Sequence, residues 1–105
     1  MSFQETSKNI NLVDDHILSA SCQGEDGSWQ DSSIDLDHFL GNNDGSFNWD
    51  GKDFSQSAGG AIIQEHEGKL SLVCVLRQNN YEWKEASIDL SDRIYNSNGN
   101  LVYLP

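Results

Sequence analysis

Apolar residues along this chain recur mostly at every second position, in short runs broken by polar turns. "HILSASC" (16–22) and "KLSLVCVL" (69–76) alternate in part between apolar and polar residues, the period of a half-buried strand. "GSWQDSSIDL" (27–36) and "YEWKEASIDL" (81–90) predict further strands, with Trp29, Ile34 and Leu36, and likewise Trp83, Ile88 and Leu90, expected on one face. "DHFLGN" (37–42) and "SDRIYN" (91–96) allow one helical turn and no more. "NNDGSFNW" and "NSNGNLVY" then predict hairpins, because Asp44-Gly45 and Asn98-Gly99 supply the positive-φ pair that a tight turn needs. Long amphipathic helices and linker-like stretches are absent, so the pattern predicts an all-β fold.

The pattern is also written twice. Ile34 and Ile88 lie 54 positions apart, and at the same offset Trp29 meets Trp83, Gly45 meets Gly99, Phe47 meets Leu101 and Trp49 meets Tyr103. Phe3 matches Phe54 at 51. Cys22 is matched with Cys74 at 52, which calls for two extra residues in "CVLRQNNYEW". The chain therefore reads as a single domain, 1–105, of two tandem repeats, about 1–51 and 52–105, related by internal two-fold pseudosymmetry. A unit of about 50 residues with so few large apolar groups is expected to share its core with its copy and to exchange segments with it. Asp35 and Asp89, within the doubled "SIDL", are expected to accept backbone amides of the following turn.

Composition narrows the function. With 36% hydrophobic and 10% aromatic residues the core is lean, and Trp29, Trp49, Trp83 and the four Phe are each expected to bury a large area. A net charge of −11 repels phosphate backbones and anionic headgroups, which argues against nucleic acid and membrane partners. No run approaches the ~20 apolar residues of a membrane span, so no membrane insertion is expected. The opening "MSFQETSKNI" shows no secretory pattern. The expectation is a cytoplasmic protein, with unconventional release as the alternative, and Cys22 and Cys74 as free buried thiols.

Catalytic and metal patterns are weak. His16, His38 and His66 lie far apart in sequence, no Cys-x-x-Cys or His-x-x-x-His spacing occurs, and "NNDG" departs from a calcium loop at Leu40, so no metal and no cofactor are expected. Glycoside hydrolysis needs two carboxyls in different environments, whereas Asp35 and Asp89 are copies of one position. Gly-x-Ser-x-Gly, P-loop and dinucleotide fingerprints are missing, and the chain reads as no enzyme. Loops rich in Asn, Asp, Gln and Ser suit sugar hydroxyls, and equally suit ordinary β-turns.

"SSIDLDHFLGNNDGSFNW" (32–49) and "ASIDLSDRIYNSNGNLVY" (86–103), with the "F-x-x-T" opening at Phe3 and the "DF" at Phe54, resemble the signature of the cyanovirin-N homologues. The resemblance spans essentially the whole chain and is similar to the fungal, single-module type. It implies two pseudo-symmetric halves, each a triple-stranded antiparallel sheet plus a β-hairpin, about 1–39 with 93–105 and about 40–92. It further implies a lectin for mannose oligosaccharides and high-mannose glycoproteins, preferring terminal α1-2-linked mannose, with antiviral activity as an open possibility.

The same resemblance places a sugar pocket at each distal end. For the terminal half the matching positions are Phe3, Gln4, Glu5, Thr6, Gln23, Gly24, Glu25, Asp26, Asn96, Ser97 and Asn98. For the central half they are Gly41, Asn42, Asn43, Asp44, Lys52, Asp53, Gln56, Ser57, Arg77 and Gln78, in stretches that also take in Val75 and Leu76. Gly41, Val75 and Leu76 depart from the family's polar pattern. Ser7 and Ala58 stand where the family places the partner cysteines, which implies that neither family disulfide forms. Gly51 stands where the family's hinge often has proline, and a monomer is expected, with a domain-swapped dimer as the alternative. A protein-interaction domain on the same fold, with degenerate sugar pockets, is the second reading.

Overall fold

Alternating strands punctuated by glycine turns fold into four small antiparallel sheets. The structure, a computed structural model, describes residues 3–105, and the side chains of Gln4 and His66 lie outside what is described. Strands β1 (Ser7–Val13), β2 (Ile17–Gln23) and β3 (Trp29–Asp35) form one three-stranded sheet in that order. Its counterpart is β6 (Ala58–His66), β7 (Lys69–Arg77) and β8 (Trp83–Asp89). Two hairpins complete the fold, β4 (Leu40–Asn43) with β5 (Ser46–Trp49) and β9 (Ile94–Ser97) with β10 (Asn100–Tyr103). The only helical pieces among the described residues are short 3-10 turns at Phe3–Thr6, Leu36–His38, Phe54–Ser57 and Leu90–Asp92. Both hairpins turn as the sequence predicts, with φ of 50° and 89° at Asp44 and Gly45 and of 50° and 91° at Asn98 and Gly99.

The repeats exchange hairpins. Asn42 on β4 bonds Ser57 and Arg77 of the second repeat, while Asn96 on β9 bonds Thr6 and Gln23 of the first. The Leu101 amide also donates to Ser32 Oγ at 3.0 Å, tying β10 to β3. One core results. Leu18, Ala20 and Cys22 from β2 and Leu70, Leu72, Cys74 and Leu76 from β7 are buried with Phe3, Phe54, Leu36, Leu40, Leu90 and Ile94. The doubled "SIDL" closes each three-stranded sheet: Ile34 and Ile88 pack on this core, Leu36 and Leu90 are buried in it, and Asp35 and Asp89 accept the amides of Asp37 and Ser91 at 3.0 Å.

Between the repeats, Phe39 stacks on Tyr103 with ring centres 4.4 Å apart, and Trp49 leans on Tyr103 at 5.6 Å. The Tyr103 hydroxyl donates to Asp50, which also faces Arg93 at 3.4 Å. Gly51 stands where there is no space for a side chain. A Cβ there would stand 2.8 Å from Gly41 Cα and 2.6 Å from Asn48 Nδ2.

Two expectations need correction, and one meeting of side chains was not expected. Cys22 pairs with Gln30 and Leu76 with Lys84, so the equivalent of Cys22 is Leu76 at offset 54, and Cys74 is the equivalent of Ala20. The extra residues sit in the β6–β7 hairpin, where both strands are nine residues long against seven in β1 and β2. Trp29 and Trp83 are 45% and 54% exposed, because a spacing of five sets each on the opposite sheet face from Ile34 or Ile88. Lys8 Nζ lies 4.2 Å above the Trp29 ring, on that outer face. Finally, His16 and His38, distant in sequence, both approach Asp35, at 2.7 Å and 3.6 Å.

Candidate functional site

Each repeat sends a short loop from its second to its third strand, and each loop is locked in the same way. Gly24 N bonds Ser28 O at 2.8 Å and Gln78 N bonds Glu82 O at 2.7 Å. Ser28 N and Glu82 N are held by the Asp26 and Asn80 side chains, each at 3.0 Å. The exchanged hairpin of the other repeat then closes over the loop. Asn96 Nδ2 donates to Thr6 Oγ1 and Gln23 O, both at 2.9 Å, while its Oδ1 accepts Gly99 N at 2.8 Å. Asn42 repeats this with Ser57 Oγ, Arg77 O and Gly45 N, all at 2.8 Å. At each hairpin tip one more side chain grips the loop backbone: Asn98 accepts from Glu25 N at 2.9 Å, and Asp44 from Asn79 N at 2.8 Å.

Between hairpin tip, loop and 3-10 turn each half leaves an open hollow, of about 300 Å³ in the terminal half and about 320 Å³ in the central half. That is the small end of the ligand-pocket range of ~300–1,000 Å³, room for a small polar ligand or the end of a longer one. The terminal hollow is lined by Phe3, Thr6, Gln23, Gly24, Glu25, Asn96 and Asn98, all sequence candidates, and by Tyr95. Glu5, Asp26 and Ser97 do not line it, and Gln4 lies outside the described side chains. The Asp26 carboxylate faces its own loop, where the Ser28 hydroxyl and then the Ser28 amide hold it below the usual carboxylate range. The central hollow is lined by the candidates Asn42, Asp44, Ser57, Arg77 and Gln78, and by Asn79 and Tyr81. Gly41, Asn43, Lys52, Asp53 and Gln56 do not line it. Gly41 is pressed against the inter-repeat segment, and Asp53 accepts the Gln56 amide at the start of a 3-10 turn.

Asn79 escaped sequence reasoning through the cysteine misalignment, and Tyr81 because its counterpart Gly27 lies just beyond the terminal candidates. With Cys22 matched to Leu76, the terminal stretch Gln23–Asp26 corresponds to Arg77–Asn80 and Gly27 to Tyr81. Tyr95 did carry a signal in the repeat, since its counterpart at offset 54 is Gly41, a candidate of the central half.

The sequence model of the CVNH domain matches residues 3–102. The chain belongs to the CVNH family. A cyanovirin-N homologue of Neurospora crassa is 36% identical over 105 residues, covering 94% of this chain and 95% of the relative. The solution structure of a CVNH protein of Gibberella zeae superposes with a TM-score of 0.90 at 40% identity, over 98% of this chain and 97% of that one. Microvirin, solved with mannobiose, superposes with a TM-score of 0.86 at 30% identity, over 98% of each chain.

Two other clusters carry titratable groups in this CVNH chain. His16, Asp35 and Asp37 bring ligand-type atoms within 4.8 Å of one another. Asp35 is spent on His16 Nδ1 and the Asp37 amide, and Asp37 holds the amide and hydroxyl of Ser55. The Asp35 hydrogen bond raises the His16 pKa above its ordinary value. Burial pushes the Asp35 carboxyl up, but hydrogen bonds from His16 and the Asp37 amide outweigh it, and the net shift is downward. Cys22 and Cys74 are both free and buried. Burial pushes the Cys74 thiol up to about 11, while Cys22 Sγ accepts from Ser7 Oγ at 3.4 Å. Neither cluster opens into the hollows.

Proposed function

We propose that the chain is a mannose-binding lectin that holds the ends of high-mannose glycans, terminal α1-2-linked mannose above all, in up to two pockets, without catalysis. The observation that carries this reading is the duplicated hollow, in which one asparagine clamp and one loop fold preorganise the same polar frame in each half. Donors and acceptors stand together at each rim, Arg77, Gln78 and Asn79 with Asp44 in one, Gln23 and Asn98 with Glu25 in the other. Neighbouring sugar hydroxyls both donate and accept, so such mixed rims suit them. Support also comes from microvirin's occupation by mannobiose on the same fold. Against catalysis, the described lining of each hollow carries one carboxylate, whereas glycoside hydrolysis uses two. Two pockets in one rigid body would gain avidity on a branched glycan.

The same reading takes the protein as a monomer in a reducing, cytoplasmic setting, which the two unpaired buried thiols support. One observation favours a second reading, a protein-interaction domain. On the outer face of β6–β8, Ile62, Val75 and Trp83 are exposed, where the first sheet carries Asn11, Ser21 and Trp29. Calorimetric titration with α1-2 mannobiose separates the two. Saturable binding is expected, and an absence of heat at millimolar sugar would leave the interaction reading in its place.

A further inference from the structure

The two pockets share one polar frame, yet each carries a single tyrosine on a wall where the other has glycine. Tyr81 stands in the β7–β8 loop, and its counterpart in the β2–β3 loop is Gly27. Tyr95 stands on β9, and its counterpart on β4 is Gly41. Local structure accounts for both glycines. A Cβ on Gly41 would meet Lys52 N at 3.1 Å and Gly51 Cα at 3.2 Å, so β4 has no room for a ring. The loop position needs left-handed backbone, with φ of 84° at Gly27 and 68° at Tyr81. Glycine adopts it freely and a bulky residue does so only against steric opposition.

Tyrosine nevertheless occupies position 81, and 77% of it is exposed at the pocket rim. The Arg77 guanidinium sits 5.6 Å from its ring centre, so one face is braced by a residue of the same pocket. Tyr95 is 36% exposed and donates its hydroxyl to Asp92 O at 3.2 Å, which fixes its ring on the wall of the terminal pocket. Strained residues gather at binding sites, and a strained rim tyrosine in one pocket and a pinned, exposed ring in the other fit ligand-contacting aromatics. A hexopyranose offers a matching surface. Its hydroxyls suit the polar frame, and the C–H bonds on one face of its ring suit an aromatic plane.

We propose that Tyr81 and Tyr95 are the specificity-determining residues of the central and terminal pockets, each stacking on the C–H face of a hexopyranose. Because they occupy non-equivalent walls, the sugar is seated in a different orientation in each pocket, and the two pockets differ in the oligosaccharide end they prefer. The inference rests on the lectin reading. Its test is an amide-shift titration with α1-2 mannobiose, following Asp44 and Asn79 for the central pocket and Glu25 and Asn98 for the terminal one.

Tyr81→Gly is expected to weaken the central pocket about tenfold and leave the terminal pocket unchanged, the scale of one lost aromatic contact. Tyr95→Leu is expected to do the reverse, and Tyr95→Phe, which keeps the ring but loses its hydroxyl tie to Asp92, to weaken the terminal pocket less than Tyr95→Leu does. A folded variant whose own pocket keeps its affinity overturns the assignment of that tyrosine. Equal weakening of both pockets overturns it too, by assigning the residue a structural part. A pocket that does not respond in the unsubstituted protein overturns the assignment there. Silence of both would sink the lectin reading itself, before any variant is made.

Discussion

At the scale of single residues, the side chains that sequence reasoning offers as sugar contacts are largely those that build the pocket. Asn42, Asn96, Asp44 and Asn98 spend hydrogen bonds on neighbouring backbone, so their removal loosens loop and hairpin together. Ser7 lies opposite Cys22 in the β1–β2 ladder, with Oγ 3.4 Å from Sγ. Ser7→Cys is therefore expected to form a disulfide under oxidising conditions and to stabilise the fold by about 3 kcal/mol, read as a higher denaturant midpoint that reductant reverses. An unchanged midpoint with both thiols still titratable would contradict the pairing geometry.

The His16–Asp35 pair sets a pH dependence whose sign follows from the two shifts. His16 is raised above 6.5, so its contribution is complete below that value and is lost as pH rises through its folded pKa. Asp35 is lowered below 3.8, so its contribution is present above that value and is lost as pH falls through its folded pKa. The pair stabilises most between about pH 4 and 6.5. His16→Gln is expected to flatten the fall in melting temperature between pH 6 and pH 8, and an unchanged slope would remove His16 as its source.

At the scale of elements, hairpins and loops were legible in the sequence to different degrees. Asp44-Gly45 and Asn98-Gly99 announce their turns because few other pairs tolerate two successive positive-φ residues. The pairing of Cys22 with Cys74 failed for a physical reason. A slip of two residues keeps every side chain on its original face, so the alternation that identifies a strand cannot detect it. The loop hydrogen bonds, identical at Gly24–Ser28 and Gln78–Glu82, fix the true offset, and with it Asn79 as the counterpart of Glu25. Size alone argues for buried Trp29 and Trp83, whereas strand parity turns them outward. Gly51 belongs to this scale as well. Gly51→Ala is expected to cost about 1–3 kcal/mol in urea denaturation, since its Cβ would force β4 away from the inter-repeat segment. A cost near zero would mean that this contact relaxes freely.

At the scale of the whole molecule, a chain extending 50 × 24 × 22 Å holds two copies of one frame whose pieces come from opposite repeats. The doubling that is visible as "SIDL" belongs to the scaffold, with Leu36 and Leu90 in the core and Asp35 and Asp89 capping the turns after them. Exchange of hairpins makes each pocket depend on both repeats: Asn96 reaches across to Thr6 and Gln23, and Asn42 to Ser57 and Arg77. The repeat was legible because large apolar residues and glycines keep a constant offset. The difference between the pockets was not, because it lies in Gly27 against Tyr81 and in Gly41 against Tyr95, positions that the repeat does not share.

The most direct test of the central claim is a map of amide shifts during titration with α1-2 mannobiose. The prediction is saturable change in two separate clusters, Gln23–Glu25 with Asn96–Asn98 and Asn42–Asp44 with Arg77–Asn79, with the outer sheet faces unmoved. Shifts confined to the outer face around Ile62, Val75 and Trp83, or none at all, would contradict it.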